Sequence, residues 1–356
     1  MASSVNAIIE IDGRRVGPGH ATYMVAEMSA NHGQRFDDAV RIIEAAKAAG
    51  ADAVKLQTYT PDTITLDSRD KAFELPGGTV WSGKTLYDLY REAYTPWEWQ
   101  PRLKEIANGL GLACFSSPFD FTAVDFLEKM DVPAYKVASF EMLDTPLVQY
   151  MARTGKPLIM STGMATLPEI SEAVDAARDA GCRELALLKC TSAYPAPPEE
   201  MNLLAIPFLS EVFGTAVGLS DHTLGNESAL AAVALGATII EKHFTLSRAD
   251  KGPDSGFSLE PDEFVNLVAG VRVVEKALGE RRFVPTPNEV ENRRFRRSLF
   301  VTRHVAAGER FTADNVRSVR PGAGLAPRHY HDVLGRPATR AIAPNTPLVW
   351  SMVGEA

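Results

Sequence analysis

Along the first 245 residues, eight short apolar runs each stop abruptly on polar side chains capable of chemistry. They are YMVAEMSANH (23–32), DAVKLQTY (52–59), LACFSSPF (112–119), AYKVASFE (134–141), PLIMSTGM (157–164), LALLKCTSAY (185–194), AVGLSDHT (216–223) and TIIEKHF (238–244). Stretches with helical periodicity separate them. The clearest is 36–49 (FDDAVRIIEAAKAA), with acids in its first turn and Gly50 as a stop. Others cover 167–180, 225–235 and 261–278. Strands alternating with helices predict an α/β fold, an eight-stranded parallel (β/α)8 TIM barrel. In that architecture the reactive side chains gather at the C-terminal ends of the strands. Glu27, Lys55, Gln57, Lys136, Ser139, Glu141, Ser161, Tyr194, Ser220, His222 and His243 would then ring one mouth.

Three segments fall outside the repeat. Residues 6–18 (NAIIEIDGRRVGP) read as an N-terminal β-hairpin turning at Asp12-Gly13, placed to plug the bottom of the barrel. Residues 60–96, after the second strand, are too long for an ordinary connection. They hold a Gly-Gly turn (77–78), Trp81 and the aromatic stretch LYDLYREAYTPWEW. Long insertions at this face shape substrate binding or form a packed lid. The barrel domain is predicted to occupy 1–280. Residues 281–292 carry two prolines and no apolar periodicity, so they read as a linker. Residues 293–356 read as a small β-rich domain of short strands broken by Gly and Pro.

Composition narrows the classes. The chain has 356 residues, more than one barrel needs, and its 45% hydrophobic content suits a large core. No run of 18 apolar residues is present, so no membrane span is expected. The first residues lack a charged and then apolar leader, so no secretory signal is expected. Cys114, Cys182 and Cys190 have no metal-ligand spacing, which points to a reduced, cytoplasmic protein. Cys114 and Cys190 lie in apolar strands and read as core thiols. The net charge of −8 is uneven: residues 293–356 hold 11 Arg and 4 acids, hence +7, leaving −15 elsewhere. The arginines are dispersed with little aromatic interleaving, which argues against nucleic acid. A basic domain meeting an acidic one, or an anionic substrate, fits better.

The strand ends suggest three chemistries. His222 in SDH and His243 in EKHF end neighbouring strands. Two neutral imidazoles with waters or substrate oxygens make an open divalent-metal site, although a strand-end histidine can also be a hydrogen-bonded wall residue. Glu27 would close the ring next to them, as a base or through water. Asp221 should point to the sheet's other face and reads as a structural contact. Lys55 and Lys136, with Gln57, Ser139, Ser161, Ser192 and Ser220, suit a phosphate or carboxylate. Joining Lys136 to Ser139 requires a turn or bulge at Ala138-Ser139. Lys55, Lys136, Lys189 and Lys242 are also placed as Schiff-base nucleophiles, so an anion clamp and an aldolase both stay open. Asp254, in KGPDSGFSL (251–259), is a carboxylate for sugar hydroxyls or an ordinary turn residue. A non-catalytic sugar-binding protein is the remaining alternative.

Taken in order, the pieces AEMSANH, VKLQTY, FSSPF, AYKVASFE, STGMAT, KCTSAYP, GLSDHT, EKHFT, GPDSGFSL and RPGAG resemble the sialic acid synthase family over nearly the whole chain. The insertion GGTVWSGKTLYDLYREAYTPWEW, AEMSANH and FRRSL look most like its pseudaminic acid branch; sialic and legionaminic branches are the alternatives. The resemblance implies a condensation of phosphoenolpyruvate with an open-chain acetamido aldose, giving a nine-carbon α-keto acid sugar and phosphate. It implies a divalent metal (manganese, magnesium or cobalt) on His222 and His243. It implies phosphoenolpyruvate contacts at Lys55, Gln57, Lys136, Ser139, Ser161, Ser192, Tyr194 and Ser220. Ser192 stands where the sialic branch has Asn. The acceptor contacts would be Glu27, Glu141, Tyr194, Asp254 and Arg320. The terminal domain is similar to the family's antifreeze-like (SAF) domain. It is expected to cover the barrel of the other subunit in a homodimer and to bring Arg320 in trans.

Overall fold

The chain divides into two units, Met1–Gly279 and Glu280–Ala356. The structure, a computed structural model, describes residues 7–75, 77, 81–250 and 252–355. In the first unit eight parallel strands close a barrel. They are β3 (Tyr23–Glu27), β4 (Ala53–Thr58), β5 (Ala113–Pro118), β6 (Tyr135–Val137), β7 (Leu158–Ser161), β8 (Leu185–Cys190), β9 (Ala216–Asp221) and β10 (Ile239–His243), and β10 pairs back onto β3. Ahead of them, β1 (Ile9–Ile11) and β2 (Arg14–Val16) form the antiparallel hairpin. Asp12 and Gly13 both take positive φ (51° and 75°), the backbone of a type I′ turn. Asn6, the first residue of the expected hairpin segment, lies outside the described residues.

Alternation along each strand divides the barrel into two cores. The inner layer, at the strand starts, packs Tyr23, Val25, Ala53, Phe115, Ile159, Leu188 and Ile239 against Ile9, Ile11 and Val16 of the hairpin. That apolar plug closes the bottom. The outer residues, such as Met24, Leu56, Leu187 and Leu219, pack against the surrounding helices. The expected helices appear as Phe36–Ala48, Leu167–Asp179, Glu227–Ala234 and Pro261–Leu278. Leu167–Asp179 starts from a Thr166/Glu169 capping box with proline in the first turn.

The insertion after β4 is folded at its ends. A short helix, Pro61–Ile64, is capped by Thr60, and a second, Leu86–Ala93, is capped by Thr85. Tyr90 stands edge-on to Tyr59, with ring centroids 5.5 Å apart. Gly78 of the expected turn lies outside the described residues. The segment expected as a plain linker contains a helix, Pro287–Asn292. Its TPNE sequence supplies a Thr286/Glu289 capping box and an early proline, a local signal strong enough to nucleate a turn without an apolar face. In the second unit, β11 (Ser298–Val301), β12 (Val316–Val319) and β13 (Thr346–Pro347) form a three-stranded antiparallel sheet over Leu299, Val301, Phe311 and Leu348. Among the described residues no helix is long and apolar enough to cross a membrane.

One inner position has no room to spare. A Cβ on Gly218 of β9 would lie 2.4 Å from the Ile239 carbonyl oxygen and 2.6 Å from Leu188 Cδ2. The carbonyl belongs to the β-ladder and cannot retreat. Gly218→Ala is expected to cost about 1–3 kcal/mol by overpacking, lowering the melting transition by roughly 5 °C in a thermal scan.

Candidate active site

Barrel closure lines up the chemistry in two cross-strand rows. His243, Glu27 and Lys55 are register partners across β10, β3 and β4. Cys190, Ser220 and Glu241 are partners across β8, β9 and β10. All face inward, above the apolar plug. Lys55 Nζ lies 2.6 Å from Glu27 Oε2 and 3.7 Å from Glu241 Oε1, and Lys136 Nζ lies 3.8 Å from the same Glu241 oxygen. The four side chains are between 1% and 6% exposed. Glu241 Oε1 accepts from the Ser220 hydroxyl at 3.0 Å, while its Oε2 is buried without a hydrogen-bond partner.

The two carboxyls are driven apart. Burial raises Glu27 above the usual carboxylate range against the pull of Lys55. Burial opposes ionisation of Glu241 too, but Lys136 and Lys55 outweigh it and hold that carboxyl low. Lys55 is raised, because Glu241 and Glu27 outweigh its own burial, and Lys136 is lowered by burial. Of two coupled carboxyls with unequal surroundings, one stays ionised and the other can hold a proton. The surroundings therefore favour the ionised form of Glu241 more than that of Glu27. Glu27 Oε1 also accepts from Gln57 Nε2 (3.1 Å) and the Ser29 amide (3.0 Å).

The serines supply donors around the lysines. Lys136 donates to Ser161 Oγ (2.6 Å) and to the Val137 carbonyl (3.1 Å), and Lys55 lies 3.4 Å from Ser117 Oγ. β6 ends at Val137, and the turn that follows, with the Glu141 amide on the Ala138 carbonyl, supplies the expected bend. Ser139 Oγ accepts from the Gly163 amide at 3.2 Å. A Cβ on Gly163 would lie 2.2 Å from Ser192 Oγ and 2.6 Å from Ser139 Oγ, so the glycine lets the two hydroxyls approach.

His222 and His243 stand side by side, ring centroids 5.3 Å apart. His222 Nδ1 meets the Thr191 carbonyl at 2.9 Å, so this nitrogen carries the proton and Nε2 is the free donor atom of the neutral ring. His243 Nδ1 is buried without a partner, and burial pushes that ring's pKa far down. Among the described residues no three His, Cys, Asp or Glu side chains are grouped to hold a metal by themselves. The pair fits an ion completed by non-protein ligands. Cys190 is buried, as expected of a core thiol, but it also borders the site. Its Sγ lies 3.8 Å from His222 Nδ1. Burial raises the thiol, but the ring brings it down to about 7, and His222 is raised in turn. A cation and a proton would therefore compete for His222.

An aromatic wall covers the histidines. Tyr194 stacks 4.4 Å from His222, with Phe257 at 5.2 Å and Trp81 at 5.6 Å from Tyr194. Trp81 Nε1 donates to the Pro253 carbonyl at 2.9 Å, joining the insertion to the loop after β10. Beside it, Asp254 accepts from Ser29 Oγ, and burial raises its carboxyl. Glu141 is half-buried, its Oε2 is unpartnered, and burial raises it to about 7.

Some expected residues lie elsewhere. Lys189 and Lys242 point outward from the barrel: Lys189 donates to the Cys190 carbonyl and Lys242 is paired with Asp221. Each is one residue out of step with the inner face, which removes both as nucleophiles. Arg320 is exposed in the second unit. Glu241 was not anticipated, although its two-residue spacing from His243 places both on one face. A cavity of about 700 Å³ opens at the other end of the barrel, beside Gly19, Thr22 and Thr238. Its Glu275 is already engaged by the Thr22 amide and Arg272, and no lysine, cysteine or histidine pair lines it.

The family model described as the NeuB family matches residues 42–283, and one described as the SAF domain matches 296–354. The chain is 44% identical over 326 residues to the pseudaminic acid synthase of Helicobacter pylori, spanning 91% of this chain and 96% of that one. It is 35% identical over 342 residues to the N,N'-diacetyllegionaminic acid synthase of Legionella pneumophila, spanning 95% and 96%. Among solved structures, the N-acetylneuraminic acid synthetase of Leptospira borgpetersenii serovar Hardjo-bovis is similar at a TM-score of 0.72 and 30% identity, over 80% of this chain and 94% of that one. The ring of strand-end residues thus lies on a barrel whose relatives run almost its full length, and the chain belongs to the NeuB family, with a SAF domain at its C-terminal end.

Proposed function

We propose that this chain is a pseudaminic acid synthase, condensing phosphoenolpyruvate with 2,4-diacetamido-2,4,6-trideoxy-L-altrose to give pseudaminic acid and phosphate. The observation that carries the chemistry is the buried Lys55–Glu27–Glu241–Lys136 cluster beside the paired histidines. Two carboxylates and two lysines withdrawn from water are costly to keep for stability alone, and such perturbed groups gather where a reaction uses them. The acceptor is supported by the higher identity to a pseudaminic acid synthase, 44% against 35% for the legionaminic enzyme.

Lys55 and Lys136 bind the phosphate and carboxylate of phosphoenolpyruvate, with Ser139, Ser161, Ser192 and Ser220 as short donors and Gln57 and Tyr194 at the edge. His222 and His243 would hold a divalent cation (manganese, magnesium or cobalt), which supplies polarisation of the acceptor's aldehyde oxygen when bound. Carbon three of phosphoenolpyruvate attacks the aldehyde carbon, and positive charge develops at carbon two. Glu27 takes a proton from the water that adds there. Glu241, held low by Lys136 and Lys55, favours the charged forms of both lysines in return. Phosphate leaves with cleavage of the C–O bond. Glu141, Asp254 and Tyr194 contact the acceptor. We place the chain in a homodimer whose C-terminal domain covers the partner's barrel and brings Arg320 in trans. Opposite net charges, +7 for residues 293–356 and −15 for the rest, support this arrangement.

The deciding experiment offers phosphoenolpyruvate and Mn(II) with each of three aldoses and reads phosphate release. Turnover should be best with 2,4-diacetamido-2,4,6-trideoxy-L-altrose, should stop with chelator, and should deliver the bridging oxygen label of phosphoenolpyruvate into phosphate. Better turnover with N-acetylmannosamine would overturn the acceptor, and retention of the label in the sugar would overturn the chemistry. Burial makes Lys136 the amine nearest to a Schiff-base nucleophile, so borohydride trapping is the control, with no lysine adduct expected.

Two variants test the acceptor side. We assign the Trp81 ring, 5.6 Å from Tyr194, to the wall at the deoxy end of the sugar. Trp81→Ala should cut the preference for the deoxy sugar over N-acetylmannosamine by about tenfold in kcat/KM, the size of one apolar pocket contact. The phosphoenolpyruvate KM should stay unchanged. Glu141, raised to about 7 in the folded chain, favours its neutral form there. Its stabilising contribution is complete below the unfolded value near 4.5 and is lost as pH rises through about 7. The melting temperature of Glu141→Gln relative to the parent should therefore rise between pH 5 and pH 8.

A further inference from the structure

We propose that the buried Asp221–Lys242 pair on the outer face of the barrel is a positioning device that holds His222 and His243 at the spacing a divalent cation needs. The proposal rests on the metal reading of that histidine pair. Asp221 and Lys242 are direct register partners on β9 and β10. Each precedes one of the histidines in sequence. Neighbouring residues of a strand face opposite sides, so a tie between 221 and 242 behind the sheet sets the separation of 222 and 243 in front of it.

The tie is built tightly. Lys242 Nζ lies 2.6 Å from Asp221 Oδ2, and the two side chains are 1% and 0% exposed. The same ammonium donates to the Thr223 carbonyl at 2.8 Å. Asp221 Oδ1 accepts from the Thr223 amide at 2.9 Å and from its hydroxyl at 2.8 Å. The residues on both sides of His222 are therefore bracketed by one ion pair. On the inner face, the His222 carbonyl accepts from the Ala196 amide at 2.9 Å, and its ring bonds the Thr191 carbonyl. On β10, the Phe244 amide donates to the Glu27 carbonyl and the Leu259 amide to the His243 carbonyl, both at 2.8 Å. The Asp221–Lys242 bond joins these two separately anchored ends on the outer face, as the Ser220–Glu241 bond joins the same strands on the inner face.

Stability does not account for this arrangement. A buried ion pair is often matched or bettered by apolar residues of similar size, and the outer layer around it is otherwise packed with apolar side chains. Charge and directed bonds fix distance and angle in a way that Leu or Met does not. Partners behind metal-binding side chains typically set affinity by about 10–100-fold.

The test compares the full chain with Asp221→Asn/Lys242→Met. This double variant leaves no charge unpaired and keeps an amide oxygen for Thr223, but it removes the outer-face ion pair between β9 and β10. Mn(II) binding is read by electron paramagnetic resonance without substrates, beside the melting temperature and the steady-state constants. The double variant should melt close to the parent, bind Mn(II) about tenfold or more weakly and lose kcat, with the phosphoenolpyruvate KM little changed. Lys242→Arg, which can restore the pair, should recover most of the affinity. A folded double variant with parental Mn(II) affinity would overturn the proposal. If the double variant does not fold, Asp221→Asn/Lys242→Gln decides: it removes the ion pair but leaves two groups able to share a neutral hydrogen bond. Weakened Mn(II) binding would support the proposal, and parental affinity would overturn it. A parent chain that binds no Mn(II) would remove the metal reading and the proposal together, a result distinct from both.

Discussion

The pairing of β10 with β3 is the interaction on which the rest depends. Ile239–His243 joins Tyr23–Glu27 in parallel register, so the chain's last barrel strand meets its first across more than 200 residues. Without that closure the sheet would carry two open edges, and its inner core would face water. With it, His243 stands beside Glu27, and Glu27 beside Lys55. The hydrogen bonds that complete the fold are thus the same bonds that assemble the proposed reaction centre.

Closure also creates a gradient along the barrel axis. The lower inner layers are apolar and sealed by Ile9, Ile11 and Val16 of the hairpin. The upper layers carry two lysines and two carboxylates. The plug excludes water from below, so the charges interact in a poorly screened environment and shift one another strongly. Glu27 moves up and Glu241 moves down for this reason. The proposed reaction, with a multiply charged anion to bind and a proton to exchange, would be served by that asymmetry. The outer face repeats the theme once, where Asp221 and Lys242 neutralise each other behind the two histidines.

Much of this was legible from pattern. Eight apolar runs ending on polar residues, separated by segments of helical period, correspond to β3 through β10 and their helices. The Asp12-Gly13 turn, the acid-rich start of Phe36–Ala48 and the capping box of Leu167–Asp179 are local signals read without tertiary context. The expected residues at the strand ends, including Glu27, Lys55, Lys136, Ser161, Ser220, His222 and His243, do share one mouth. The helix Pro287–Asn292 was also readable, from TPNE, but the missing apolar period concealed it.

What the chain's sequence determined by itself was therefore the set of elements, their order and the identity of the reactive side chains, because these follow from periods of two and 3.6 residues and from short-range capping. Alternation fixes which residues of one strand share a face, but only the tertiary structure decided which face turns inward. Position near a strand end made Lys55, Lys136, Lys189 and Lys242 equivalent; barrel geometry turns two inward and two outward. It revealed Glu241 as a partner of both inner lysines, set the buried Cys190 thiol beside the His222 ring, and brought Trp81 from a long insertion onto Tyr194. Each of these depends on inter-strand register and loop closure, which are long-range cooperative choices. A one-residue shift in register would exchange the two faces.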